Sequence, residues 1–165
     1  MDHHLADDLD PPSLHTKAGL SLLRVSALLS EELDRELQAS AGLGLNEVLV
    51  ILQIMFSGGR LKMADLADSL VVTRGGVTKI VDRLVTAGYL DRTPSAEDRR
   101  VVYAEVTEEA VRLIKANQPV FEAVTERRLA GILTMKELDQ MHDWMHRLSR
   151  DNPGWAPPDA VGEAR

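Results

Sequence analysis

Residues 61–106 read LKMADLADSLVVTRGGVTKIVDRLVTAGYLDRTPSAEDRRVVYAEV, and their pattern decides the fold. Residues 63–70 form a short helix with Leu66, Ala67 and Leu70 facing inward. Val71-Val72 is too short for an independent strand and reads as a turn. Thr73 then caps a second helix that runs to Ala87, with Gly88 at the stop position. On that helix Val77, Ile80, Val81 and Leu84 recur at i, i+3, i+4 and i+7, the spacing of one buried face. The opposite face carries Arg74, Thr78, Lys79, Asp82 and Arg83. Tyr89 to Thr93 and Val101 to Val106 alternate loosely around a polar turn, which predicts two strands of a hairpin.

Two helices joined by a turn and followed by a hairpin make a winged helix-turn-helix. The second helix spans about 21 Å at the helical rise, enough to lie in a major groove. The expected fold is therefore mainly α with a small β-hairpin wing.

Outward from this segment the chain is helical. Residues 1–13 are a loose arm ending at Pro11-Pro12. Leu22, Val25, Leu29, Leu33 and Leu37 predict a long amphipathic helix over 14–39, with Leu20 and Leu23 widening its stripe. Gly42 and Gly44 break it, and Asn46 is expected to cap the next helix. That helix, with Val48-Leu49-Val50-Ile51-Leu52 apolar nearly all round, should be central; Ser57-Gly58-Gly59 ends it. Thr107 caps a further helix running to about Ile132, kinked at Pro119. Thr134 caps a last helix reaching Arg150, and 151–165 reads as a tail. Residues 14–57 and 107–150 thus frame a lobe at 58–106.

Charge points the same way. Residues 60–104 hold eight basic and six acidic side chains, a net +2, whereas the whole chain is −7, leaving −9 elsewhere. An acidic chain that gathers positive charge into one segment is expected to present it to a polyanion. There is no cysteine, which excludes a disulfide framework or a thiolate metal site. The polar, acidic start lacks the signature of a signal peptide, and no apolar run suits a membrane span, so a cytoplasmic location is expected. No nucleophile cluster or phosphate loop is evident, so an enzyme is not expected, nor is a cofactor or a bound metal.

The recognition chemistry would rest on a few residues. Arg74, Lys79 and Arg83 supply charge, Thr73 and Thr78 hydroxyls. Gly75 and Gly76 fall in the first turn, where backbone N–H groups are unpaired, and would let a phosphate or base edge approach closely. Close packing against the preceding helix is the alternative reason for them. At the hairpin tip, Arg99 or Arg100 would enter the minor groove, with Asp98 bracing one of them by a charge-assisted hydrogen bond.

With these residues in view, the chain resembles the multiple-antibiotic-resistance regulator (MarR) family. The resemblance is carried by Leu66-Ala67, Thr73, Val77 through Leu84, Gly88-Tyr89-Leu90, Arg92, Asp98-Arg99-Arg100 and Val106-Thr107, and extends over about 15–150. It implies a homodimer whose first and last two helices interlock, operator DNA as partner, and release by a small-molecule effector. Two departures stand out: Gly75-Gly76 replaces bulkier residues, and the first helix of the motif starts at Lys62-Met63 without a Ser or Thr cap. The stripe on residues 20–37 and Leu129, Ile132, Leu133, Leu138, Met141, Met145 and Leu148 are too apolar to leave in water, and would cover each other within one chain or between two.

Other constellations are weaker. His15 sits near where the family's ligand crevice would lie, and Met55 and Phe56 would line such a pocket. His142 and His146 stand i, i+4 on the last helix, a spacing that can hold zinc in a metal-responsive regulator of the same fold. A winged-helix protein–protein module without DNA binding is the remaining alternative.

Overall fold

The computed structural model describes residues 10–70, 74–98 and 100–149. The elements run α1 (Leu14–Ala41), α2 (Leu45–Phe56), β1 (Arg60–Lys62), α3 (Met63–Ser69), α4 (Arg74–Thr86), β2 (Leu90–Pro94), β3 (Val102–Val106), α5 (Glu108–Leu129) and α6 (Met135–Ser149). The expected class, mainly α with a small β wing, is the one observed.

Four of the helices, α1, α2, α5 and α6, begin where a side chain takes up free N–H groups, whereas α3 starts at Lys62 with no side-chain cap. The Ser13 hydroxyl accepts from the Thr16 N–H at 3.2 Å, and Gly42 closes α1 in the left-handed region at φ +67°. The cap of α2 is Gly44, not the expected Asn46. The reason is tertiary. Glu47 Oε2 accepts from the Gly44 N–H at 2.8 Å, and Asp34 Oδ1, reaching across from α1, accepts from the Leu45 N–H at 2.7 Å. Two carboxylates at one helix N-terminus outweigh the capping preference of an asparagine. Thr107 caps α5 as expected, its hydroxyl oxygen accepting from the Ala110 N–H at 3.2 Å. Thr134 and Glu137 cap α6 reciprocally: the Glu137 carboxylate accepts from the Thr134 N–H at 2.8 Å, and Thr134 Oγ1 from the Glu137 N–H at 3.3 Å. The Thr134 N–H and, after it, the Thr134 hydroxyl, which donates to the same Glu137 Oε2 at 2.8 Å, hold the Glu137 carboxyl below its ordinary pKa.

The sheet has three strands rather than two. Arg60–Lys62 pairs antiparallel with β3 (Arg60 opposite Glu105, Leu61 opposite Ala104, Lys62 opposite Tyr103), giving the order β1-β3-β2. Three residues running straight into a helix leave no alternation to read.

The core gathers on α2. Val48, Val50, Ile51 and Ile54 are buried there against Leu37 of α1, Leu66 of α3, the Val77, Ile80, Val81 and Leu84 face of α4, Leu90 and Ala104 of the sheet, and Ala110 and Val124 of α5. α5 ends at Leu129, three residues short of the expectation, and runs through Pro119 without a break. It packs along the second half of α1, where Ser40 Oγ donates to the buried Asn117 Oδ1 at 2.7 Å.

The long apolar stripe of α1 divides. Leu33 and Leu37 are buried, but every residue from 14 to 28 is exposed, Leu20, Leu22, Leu23, Val25 and Leu28 among them. Ile132, Met135, Trp144, Met145 and Leu148 are exposed too, and no described side chain of α6 is buried. Leu129, half-buried, lies beside Val25, Leu28 and Leu29, but most of the two apolar groups is not covered within one chain. No single helix among the described residues is long and apolar enough to cross a membrane.

Candidate nucleic-acid interface

α4 divides cleanly into two faces. Val77, Val81 and Leu84 are fully buried and Ile80 nearly so, while Gly75, Thr78, Lys79, Asp82 and Arg83 are exposed. The expected outward residues are thus brought onto one surface. The Thr73 cap and the Val71-Val72 turn lie outside the described residues, as does the side chain of Arg74. A Cβ placed on Gly75 would meet nothing within 4 Å. Close packing therefore does not explain this glycine, and its bare first turn is open to an approaching group. Gly76 is half-buried and lines an open depression along the helix with Lys79, Ile80, Asp82 and Arg83.

Two ion pairs, neither legible in the sequence, fix α4 on its flanks. Asp82 Oδ1 meets Arg92 Nη1 of β2 at 2.5 Å, and Arg83 Nε meets Glu47 Oε1 of α2 at 3.2 Å. Helix, wing and α2 are thereby joined through adjacent residues of α4. On the sheet, Arg60 lies 3.9 Å over the Tyr103 ring and pairs with Glu105 at 2.7 Å.

The hairpin turn is closed by its own backbone. Ser95 N–H donates to Val101 O and Val101 N–H to Asp98 O, both at 2.9 Å, while Ser95 Oγ accepts from the Glu97 N–H at 3.2 Å. Asp98 does brace Arg100, but by accepting from its backbone N–H at 2.9 Å rather than from its guanidinium. Asp98 and Arg100 are exposed at the tip, and Arg99 lies outside the described residues.

The other candidates do not come together. His15 is exposed at the start of α1, roughly 40 Å along the helix from the corner with α2. Met55 and Phe56, half-buried, end α2, which leaves that corner at 85°. His142 and His146 have ring centroids 6.4 Å apart, yet no group of three or more metal-ligating side chains gathers among the described residues. Two imidazoles fall short of the three or four ligands zinc takes.

One charged cluster was missed altogether. Glu32, buried on α1, accepts from Arg127 Nε at 2.9 Å and also from Arg128 Nε, tying α1 to the end of α5. The Arg128 hydrogen bond, opposed by burial and reinforced by the charges of both arginines, holds the Glu32 carboxyl below its ordinary pKa.

Comparison with known proteins agrees with this geometry. Residues 41–101 match the model of the MarR family. A Bacillus subtilis helix-turn-helix transcriptional regulator, YfiV, is 28% identical over 100 residues, 61% of this chain; the match spans 62% of the length of YfiV. Two solved structures share the fold. One is Sco3205, a MarR family transcriptional regulator from Streptomyces coelicolor in complex with DNA (24% identity, 87% of this chain and 97% of that one, TM-score 0.69). The other is CouR from Rhodococcus jostii RHA1 bound to p-coumaroyl-CoA (20% identity, 86% and 97%, TM-score 0.72).

Proposed function

We propose that this chain is a ligand-responsive transcriptional regulator of the MarR family, a repressor that binds a pseudo-palindromic operator as a homodimer. The observation that carries the reading is the two-faced α4. A buried stripe seats it against α2, and Thr78, Lys79 and Arg83 point outward beside the wing. Thr73, Arg74, Gly75, Gly76, Thr78, Lys79 and Arg83 meet the major groove and its phosphates. Asp98, Arg99 and Arg100 form the wing contact with the adjacent minor groove. Residues 58–106 act as the DNA-binding lobe, 14–57 and 107–150 as the dimerisation body, and the work is done in the cytoplasm.

The exposed leucines and Val25 of α1, with Ile132, Met135, Trp144 and Leu148, support the homodimer, since a second copy is the simplest cover for them. Two-fold symmetry would set the recognition helices about 34 Å apart, one turn of DNA. The effector reading takes its support from CouR, a relative in fold whose structure holds p-coumaroyl-CoA. Within one chain His15, Met55 and Phe56 are apart, so an effector site using them needs the second copy. Selection of bound fragments from sheared genomic DNA tests the proposal. An enriched inverted repeat with half-sites one turn apart is expected; no enrichment over bulk DNA would overturn it.

A further inference from the structure

We infer that Glu47 is a positioning residue for DNA recognition: it holds the Arg83 guanidinium by its Nε and turns the outer edge toward a phosphate. The inference rests on the operator-binding reading and adds to it a residue outside the helix-turn-helix face. Glu47 is 9% exposed, and its carboxylate is fixed from two sides. Oε2 is taken by the Gly44 N–H at 2.8 Å, and Oε1 stands 3.2 Å from Arg83 Nε. Gly44 keeps the arrangement tight, because a Cβ there would come within 3.0 Å of Asp34 Oδ1 and 3.6 Å of Glu47 Oε2. The carboxylate cannot swing away without giving up the α2 cap.

Arg83 is different. Its side chain is 67% exposed, on the surface that carries Thr78 and Lys79. A guanidinium offers donors on two edges, and an acceptor at Nε leaves the edge carrying both Nη groups for a second acceptor. A phosphate prefers that two-pronged edge, and an arginine already oriented loses less freedom on binding. An ion pair with both partners in water would bring little order. Here one partner is buried and immobile, so the mobile one is held.

The test is a double-mutant cycle on the DNA site recovered by selection, read by fluorescence anisotropy. Glu47→Gln keeps an oxygen to accept from Gly44 and loses the charge that grips Arg83. It is expected to weaken binding about fivefold in the native background and less than about twofold beside Arg83→Ala. Arg83→Lys, which leaves the buried cap untouched, keeps the charge without the fork and should bind nearly as weakly as Arg83→Ala. Unchanged or tighter binding by Glu47→Gln, an equal loss in both backgrounds, or native affinity in Arg83→Lys would each overturn the inference while leaving operator binding intact. Failure of the native chain to bind any DNA would bring down the underlying reading and this one with it.

Discussion

Asp82 Oδ1 on α4 lies 2.5 Å from Arg92 Nη1 on β2, so the second helix of the helix-turn-helix and the strand that leads into the wing are joined side chain to side chain. Both partners keep substantial exposure, 54% and 33%. Such a pair contributes on the order of 0–1 kcal/mol to folding. Its larger effect is expected on the angle between helix and wing, since it ties α4 to β2 through one contact. Asp82→Ala should therefore shift the thermal midpoint little and weaken operator binding several-fold, with the double variant Asp82→Ala/Arg92→Ala no worse than the sum. A large loss of stability without a change in affinity would make the pair a folding contact only.

Leu84→Ala tests the seat of α4. The side chain is fully buried against α2. Removing it should cost about 2–5 kcal/mol in urea unfolding. A cost under about 1 kcal/mol would mean that α4 is not packed as described.

Glu32 gives a pH dependence with a definite sign. Its carboxyl titrates below the ordinary 4.5 in the folded chain, through the Arg128 hydrogen bond first. A group depressed on folding stabilises above its unfolded pKa, and that stability is lost as pH falls through the folded value. Urea midpoints should therefore decline below about pH 4.5, and Glu32→Gln should be less stable at pH 7 with a flatter acid limb. An acid limb identical in the variant would assign the decline to other carboxylates.

Leu23→Glu probes the dimer. Leu23 is 69% exposed in the single chain, so the substitution buries no charge within it. Sedimentation should show the native chain as a dimer and the variant as a folded monomer. A dimeric variant would place the interface elsewhere.

What could be read from the sequence was local. The Val77, Ile80, Val81, Leu84 stripe and the Thr107 cap each lie within one helix turn or two, so periodicity and capping chemistry locate them before any fold is known. What was missed is tertiary. β1 exists because β3 offers it partners across more than forty residues of chain, and Gly44 rather than Asn46 caps α2 because Asp34 arrives from another helix. The partners of Arg83 and Asp82 lie 36 and 10 residues away, and no one-dimensional pattern pairs them. Sequence reading found which charges face outward but not what holds them there.

The most direct test of the central claim is a fluorescence-anisotropy titration of the chain against the DNA upstream of its own gene and a scrambled control, at two salt concentrations, beside Lys79→Ala. The account predicts tight binding that prefers the upstream fragment and weakens steeply with salt, as released counterions require, with Lys79→Ala weaker and its salt slope shallower by about one. Equal, weak binding to both fragments, or a Lys79→Ala curve that overlays the native one, would contradict it.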